Sequence, residues 1–379
     1  MTRYERLMAS IKGKEVDRPP VCFYELNGLD ENPNDTDPFN IFSDPSWKPL
    51  LDLTKEKTDR IVMRGVPFKN APEDSLKYIT QIDTKIEGNS KFTTLTIQAT
   101  KKHILKTVSR RDKDVNTNWT IEPLLKNTDD VNAYLQLPKT PFGGEPDISE
   151  VLKTEKLLGN TGIAMIDTPD PLCYAASLFA MQDYIVIAFS YPDLFHKLLE
   201  RFAEKLYLEI EMIAKNLPGR LWRIYGPEYA STPYLPPNFF NEYVVKYDRV
   251  LIDKILKFAG YPRMHSHGNL KDILNEISAT GCTGLDPIEP PPQGDVELSY
   301  VREKYGMQMT LFGNIEIRDI ENLPTEEFEK KIITALQQGT KGKGRGFVLM
   351  PTACPYGRKL PSLTLKNYEK MIEVIEKWK

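Results

Sequence analysis

From about residue 160 to the carboxyl terminus, short apolar runs alternate with longer amphipathic segments. This alternation is typical of βαβ units that build a parallel sheet covered by helices. The predicted strands are Ile163–Ile166, Leu221–Tyr225, Pro262–His265, Gly284–Asp286, Met309–Phe312 and Phe347–Met350. The predicted helices span roughly 192–215, 238–258, 269–280, 295–305, 325–338 and 364–378.

Two further strands are predicted upstream, at Val21–Leu26 and Arg60–Arg64, after an amino-terminal helix at about Arg3–Ile11. They bring the number of predicted strands to the eight that close a parallel barrel. We therefore expect an α/β fold of the (β/α)8 TIM-barrel type, with residues 1–379 forming one domain.

Residues 80–125 break the regular pattern near the end of the amino-terminal third of the chain. They are rich in threonine, lysine and β-branched residues, with alternation through Phe92–Ile97 and His103–Val108 and a turn at Gly88-Asn89. We interpret them as an antiparallel β insertion over the mouth of the barrel.

Composition narrows the classes of function. The chain has 379 residues, of which 40% are hydrophobic and 27% charged, with a formal net charge of −3, as expected for a globular protein with a large core. This charge balance suggests neither nucleic-acid nor membrane binding. No apolar stretch approaches the roughly 20 residues that span a bilayer, and Met1–Arg18 is charged, so we expect a cytoplasmic protein. The four cysteines form no C-x-x-C pair, which favours reduced thiols.

The carboxyl ends of parallel barrel strands carry the chemistry of such folds. Here the residues that follow the predicted strands are largely acids, histidines and other ligand types. They are Glu25 and Asn27, Asp167, Glu228 and Tyr229, His265 and His267, Asp286 and Glu289, Asn314 and Glu316, and Cys354, Tyr356 and Arg358.

His265 and His267 form an H-x-H element at one strand end. Two imidazoles can converge on a metal ion from there if the second lies beyond the strand, where Gly268 allows the chain to turn. Catalytic zinc takes three protein ligands, and Cys354 or Glu228 is the expected third. The spacing is equally compatible with a hydrogen-bonded barrel residue and a surface loop histidine, and a lone cysteine is commonly a small buried residue.

Asp286, Glu289 and Tyr229 are the predicted catalytic residues. The two acids could act as general acid or base, or could fix the tautomer of a histidine ligand. Structural acids would look the same in the sequence.

Three segments carry a family resemblance: Met1–Val21 (MTRYERLMASIKGKEVDRPPV), His265–Asn269 (HSHGN) and Thr310–Ile315 (TLFGNI). They resemble the uroporphyrinogen decarboxylase superfamily, in its usual start, its H-x-C-G-N or H-x-H-G-N element and its seventh strand. The resemblance implies a (β/α)8 barrel, in agreement with the strand count.

Two chemistries occur in that superfamily. Its decarboxylases use no metal and hold the substrate carboxylates with an arginine-bearing segment after the first strand. The corresponding residues here, Cys22–Gly28 (CFYELNG), contain an acid and no arginine, so a polycarboxylate would be repelled.

The other branch consists of zinc-dependent methyltransferases that exchange methyl groups with a corrinoid protein, some with an H-x-C…C zinc site. In that pattern His265 matches the first ligand, His267 stands where a cysteine would be, and Cys354 lies near the final cysteine. A neutral imidazole in place of a thiolate leaves the metal more electrophilic, which suits activation of an oxygen or nitrogen leaving group.

The resemblance therefore implies a methyltransferase that uses Zn²⁺ to activate a small O- or N-methyl compound for transfer to a partner protein carrying a corrinoid (cobalamin). The alternatives are a metal-free lyase of the decarboxylase type, with Tyr229 and the acids binding substrate, and a non-catalytic barrel that binds a corrinoid or small ligand. The sequence leaves the oligomeric state open, a homodimer included.

Overall fold

A computed structural model describes residues 1–378. Its strands are β1 Arg60–Arg64, β2 Phe68–Lys69, β3 Thr80–Glu87, β4 Ser90–Thr100, β5 His103–Asp112, β6 Asn118–Glu122, β7 Glu145–Pro146, β8 Gly162–Pro169, β9 Leu221–Tyr225, β10 Tyr261–Ser266, β11 Gly284–Pro287, β12 Thr310–Ile315 and β13 Phe347–Pro351. Its helices are α1 Arg3–Ile11, α2 Lys48–Lys57, α3 Thr128–Leu135, α4 Ser149–Leu158, α5 Pro171–Ala176, α6 Met181–Ser190, α7 Pro192–Asn216, α8 Asn238–Phe240, α9 Lys246–Lys257, α10 Leu274–Ala279, α11 Leu298–Tyr305, α12 Ile317–Asn322, α13 Thr325–Thr340 and α14 Ser362–Lys377.

The core of the fold is a curled parallel sheet of seven strands in the order β1-β8-β9-β10-β11-β12-β13. All seven coincide with predicted strands to within a few residues, and β1 and β9 match their predictions at both ends. The strands read as continuous apolar runs because the sheet is buried on both faces, as in other parallel sheets. The α/β class with a parallel sheet is confirmed.

The predicted first strand, Val21–Leu26, does not form, and the sheet does not close into an eight-stranded barrel. The chain turns instead at Tyr24, whose φ is +54°, and Leu26 N–H donates back to the carbonyl of Phe23 at 3.0 Å. A left-handed residue of this kind cannot continue an extended strand.

The segment Pro20–Cys22 nevertheless bridges the two free edges of the sheet. On the β13 side, Leu349 N–H donates to Pro20 O at 2.9 Å and Cys22 N–H donates to Leu349 O at 3.1 Å. On the β1 side, Asp59 N–H donates to Val21 O at 2.7 Å. The gap between β1 and β13 is thus spanned by backbone hydrogen bonds without a full strand.

Helix α1 covers the amino-terminal end of the sheet. It begins with a capping box in which Thr2 and Glu5 each accept a hydrogen bond from the other's backbone N–H. Leu7 and Ile11 pack in one buried cluster with inward-facing strand residues such as Ile61 and Leu221. The opposite, carboxyl end of the strands is left for the polar residues.

The predicted antiparallel insertion is present as the four-stranded sheet β3-β4-β5-β6. Ile97 and Leu105 join it to the main core. Its loop before β6 also contacts the chain that follows β13, where Asn116 N–H donates to Tyr356 O and Arg358 N–H to Asp114 O, both at 2.8 Å. The insertion therefore lies beside the carboxyl end of the parallel sheet. No helix within residues 1–378 has the length and apolarity needed to cross a membrane.

Asp59 ties the bridging segment to the sheet, and its replacement tests that role. The carboxylate is fully buried and accepts from Arg6 at 2.6 Å, Arg18 at 2.9 Å and Val21 N–H at 2.9 Å. Asp59→Ala leaves Arg6 Nη1 and the Val21 N–H buried without this acceptor, while Arg6 keeps Asp17 and Arg18 keeps Pro19 O. We therefore expect a loss of about 3 kcal/mol in the free energy of unfolding. Urea denaturation measures it. The exposed Asp253→Ala serves as control, and an equal effect of both changes would contradict the role of Asp59.

Candidate functional site

His265 lies at the end of β10, with its ring held by the neighbouring strand. The parallel register sets it opposite Asp286 of β11, and Nδ1 lies 2.7 Å from Asp286 Oδ2. Both side chains are buried. A donor at Nδ1 leaves Nε2 as the acceptor nitrogen of a neutral ring.

Asp286 also forms a buried ion pair with Arg263, two residues before His265 on the same face of β10. Arg263 Nε lies 2.7 Å from Oδ1, and Nη2 donates to Oδ2 at 3.1 Å. Burial alone would raise the pKa of Asp286, but Arg263 and His265 outweigh it and hold that pKa below its usual range. The carboxylate is therefore charged at neutral pH.

A second chain of polar contacts reaches His265 from β9. The Arg223 guanidinium pairs with Asp167 at 2.6 and 3.0 Å and donates to the Tyr24 hydroxyl at 2.7 Å. The Tyr24 oxygen lies 3.3 Å from His265 Nε2. Burial raises the pKa of Tyr24 above its ordinary value despite the nearby Arg223, so the phenol stays protonated and can donate to Nε2.

His267 lies beyond the strand end, where Gly268 has a φ of +82°. Its Nδ1 is 2.9 Å from Glu289 Oε1, while Glu289 Oε2 accepts from Gly268 N–H at 2.6 Å. The rings of His265 and His267 are nearly perpendicular, at 89°, with centroids 4.7 Å apart. The two imidazoles are thus adjacent, as convergence on one ligand requires.

The charges around His267 bias its protonation. Burial lowers its pKa, but the hydrogen bond and charge of Glu289 prevail and the pKa lies above the usual value. Burial raises the pKa of Glu289, but the contacts with His267 and Gly268 N–H have the larger effect and hold that pKa below its usual value. The carboxylate is therefore charged.

The two predicted third ligands have other partners. Cys354 donates its thiol to Glu25 Oε2 at 3.4 Å, and burial, with Glu25 beside it, raises its pKa. Glu228 accepts from Gly226 N–H at 3.1 Å within its own turn. Across residues 1–378, no three His, Cys, Asp or Glu side chains are grouped as a metal site. The two histidines are brought together, and a complete ligand set is not.

Tyr229 follows Glu228 in the turn after β9. Its carbonyl accepts from the buried Tyr184 hydroxyl at 2.8 Å, and its ring packs edge-on against Tyr184. Burial raises the pKa of the Tyr229 phenol to about 12, so it is protonated at neutral pH. Its catalytic role stays a prediction.

Glu316, directly after β12, is a further acid of this rim. The side chain is buried and its Oε1 has no hydrogen-bond partner in the described chain. Burial and the charge of Glu289 raise its pKa to about 7, which makes it half protonated near neutral pH. A buried acid of this kind is suited to proton transfer.

Comparison with known proteins identifies the family. Residues 170–378, more than half of the chain, match the family model described as uroporphyrinogen decarboxylase (URO-D). The chain belongs to the uroporphyrinogen decarboxylase family. The part of this chain that matches the family model contains β9 to β13. It includes the candidate site residues His265, His267, Asp286, Glu289, Glu316 and Cys354.

No curated protein sequence matches the chain. Among solved structures, a D-psicose 3-epimerase determined in the presence of D-fructose is 10% identical, with 60% of this chain and 80% of that one covered and a TM-score of 0.31. A protein described as a fructose-1,6-biphosphate aldolase from Coccidioides immitis is 13% identical, with 56% and 80% covered and a TM-score of 0.25. Both TM-scores are low.

The sequence analysis did not predict the two arginines that contact the site. Arg223 and Arg263 sit in the middle of β9 (LWRIY) and β10 (YPRMHS). A charge inside a buried apolar run was the available signal, since such a charge needs a partner. Their partners, Asp167 and Asp286, come from neighbouring strands that the local pattern does not pair.

The state of Glu316 makes a prediction about stability. Its pKa in the folded protein, about 7, lies above the ordinary 4.5 expected on unfolding, so the folded state holds more protons between those values and stability falls as pH rises through that window. Glu316→Gln removes this loss, and we expect the variant to gain about 2–3 kcal/mol relative to wild type between pH 5 and pH 8. Urea denaturation at both pH values measures the difference. The exposed Glu326→Gln is the control, and the same gain there would contradict the assignment.

Proposed function

We propose that the chain is a zinc-dependent methyltransferase that activates a small O- or N-methyl compound for transfer to a corrinoid protein. One observation carries the proposal. His265 and His267 each bind a carboxylate through Nδ1, so both rings are oriented with Nε2 as the remaining nitrogen. Histidines that ligate a metal are commonly held in this way, because the carboxylate fixes the tautomer and raises the basicity of the ligand nitrogen.

The residues around the pair fit a cation. Arg223 with Asp167 and Arg263 with Asp286 are neutral as pairs, and Glu289 faces His267, whereas Glu25 and Glu228 add acidic groups at the same rim. This acidic surplus favours a divalent cation and disfavours a polycarboxylate porphyrinogen. The third ligand, Cys354 or Glu228, would have to leave its present partner to join the histidines.

Bound by these residues, zinc supplies Lewis acidity toward the heteroatom that carries the methyl group. The protein's own groups do the rest. Asp286 and Glu289 orient the two imidazoles through Nδ1, and Glu316, whose pKa is raised to about 7, holds a proton near neutral pH for the departing oxygen or nitrogen. The β3–β6 insertion, which contacts the 356–358 loop beside the strand ends, offers a surface for the corrinoid protein.

A second candidate is a metal-free lyase, and the Tyr24–His265 contact favours it. The Tyr24 hydroxyl lies 3.3 Å from His265 Nε2 and also accepts from Arg223, so Nε2 already has a protein partner. In that function the histidine, held by Asp286, exchanges protons with the substrate. The third candidate, a protein of this fold that only binds a corrinoid or small ligand, would need neither proton transfer nor metal.

Metal content separates the first two candidates. We expect the purified protein, after zinc supplementation, to hold about one equivalent, as measured by elemental analysis. His265→Ala and His267→Ala should abolish this binding. His196→Ala should retain it, because His196 lies on α7 and is hydrogen-bonded to Tyr247 of α9. Absence of zinc after supplementation, with the fold intact by circular dichroism, favours the lyase.

The carboxylate that orients His267 gives a graded test. Glu289→Gln keeps a hydrogen-bonding group of the same size but removes the charge behind the imidazole. We expect zinc affinity to fall about 10–100-fold, as measured by competition with a chromophoric chelator. Unchanged affinity would show that His267 does not bind the metal.

The role of Cys354 is tested against the other thiols. Cys354→Ser should weaken zinc binding more than Cys173→Ser or Cys282→Ser, because Cys354 alone among these three follows the last strand at the rim. Equal zinc content in the three variants would leave Glu228 as the third ligand to examine.

Catalysis is tested by methyl transfer to free cob(I)alamin from a panel of O- and N-methyl compounds, followed by its absorbance change. Turnover that is lost in His265→Ala but kept in His196→Ala supports the methyltransferase and excludes a barrel that only binds ligand. No turnover by a zinc-loaded protein with any compound of the panel counts against the proposed function.

A further inference from the structure

Strand β3 is an exposed edge of the insertion. It ends the order β3-β4-β5-β6, so one of its two edges faces no strand of residues 1–378. Residues 81–89 are all exposed. Ile82 and Ile86 remain 64% and 60% exposed, although both are large apolar side chains. A long edge strand with such residues is a template for pairing with another strand.

The direction of the backbone groups along β3 is fixed by its pairing with β4. Gln98 N–H donates to the carbonyl of Ile79 at 2.9 Å, and the register pairs Thr80 with Ile97. Because backbone groups alternate along an antiparallel strand, the odd-numbered residues of β3 bond to β4. Thr80, Ile82, Thr84 and Ile86 therefore present N–H and C=O on the free edge.

We propose that two copies of this chain associate through these free edges, antiparallel and with Thr84 on the twofold axis. A twofold axis through any one residue of β3 matches outward groups with outward groups, but an axis through Asp83 or Lys85 sets that charged residue opposite its own copy. Thr84 is central in the strand and gives a long overlap. In this register Thr84 meets Thr84, and Ile82 of each copy meets Ile86 of the other, so each of three pairs can exchange two hydrogen bonds.

The side chains fit the same register. On one face the four isoleucines of the two copies form two apolar cross-strand pairs, which cover side chains that are exposed in the single chain. On the other face Asp83 of each copy lies opposite Lys85 of its partner, which gives two opposite-charge pairs at the closely spaced, non-hydrogen-bonded positions. Charge, apolarity and backbone direction thus agree on a second copy of the chain as the occupant.

The area along one strand is small, so the association is expected to be reversible. Sedimentation equilibrium of the full chain over about 1–200 μM should show a monomer–dimer equilibrium in that range. Thr84→Pro removes the outward N–H on the axis and no bond to β4, and should weaken association at least about tenfold. Amide exchange at Asp83 and Lys85 reports whether the β3–β4 pairing survives in the variant.

Charge reversal tests the register itself. Asp83→Lys alone, or Lys85→Asp alone, turns both attractive pairs into repulsive ones, and each should weaken self-association about tenfold or more. The double variant D83K/K85D restores the attraction and should return to within about threefold of wild type. A mixture of the two single variants should form a mixed dimer.

Monomer throughout the concentration range would overturn the proposal, and so would a dimer that is indifferent to these reversals, because that dimer would use another surface. The outcome is independent of the metal site. Zinc content, measured on the same variants, should equal that of wild type.

Discussion

The buried carboxylate of Asp286 constrains both the sheet and the site. It is fully buried and bonds to Arg263 and His265, which lie two residues apart on one face of β10. A slip of β10 against β11 by one residue would turn both partners to the opposite face and leave three buried polar groups unpaired. The same contacts that fix the strand register therefore also fix the ring of His265.

Around that pair the protein balances charge in the interior and leaves it unbalanced at the rim. Arg223 and Arg263 are matched by Asp167 and Asp286 inside the sheet, whereas the acids Glu25 and Glu228 stand where the strands end. His267 takes its carboxylate from the loop after β11, so the two imidazoles are oriented by different kinds of element. One ring is set by strand register, and the other by a turn at Gly268.

The two sheets treat their edges differently. In the parallel sheet, Pro20–Cys22 connects the edge strands β1 and β13. Asp59, the residue before β1, holds that segment by accepting hydrogen bonds from Arg6, Arg18 and Val21 N–H. The edge strand β3 of the insertion has no such cover in the described chain. An unpaired edge costs little in water but favours association, so the insertion is the part of the fold most open to a partner.

The sequence by itself determined the alternation of strands and helices, the antiparallel insertion and the set of polar residues at the strand ends. Each of these is written in local periodicity, which reports burial along a single stretch of chain. The same periodicity failed at Val21–Leu26, because an apolar run does not reveal that Tyr24 adopts a left-handed backbone. Only the tertiary structure decided which polar side chains contact one another. Tyr24 and His265 are 241 residues apart, and Cys354 meets Glu25 from the far end of the chain. Such pairings depend on register between distant strands and on the cost of leaving a buried charge alone, and neither is visible in a window of sequence.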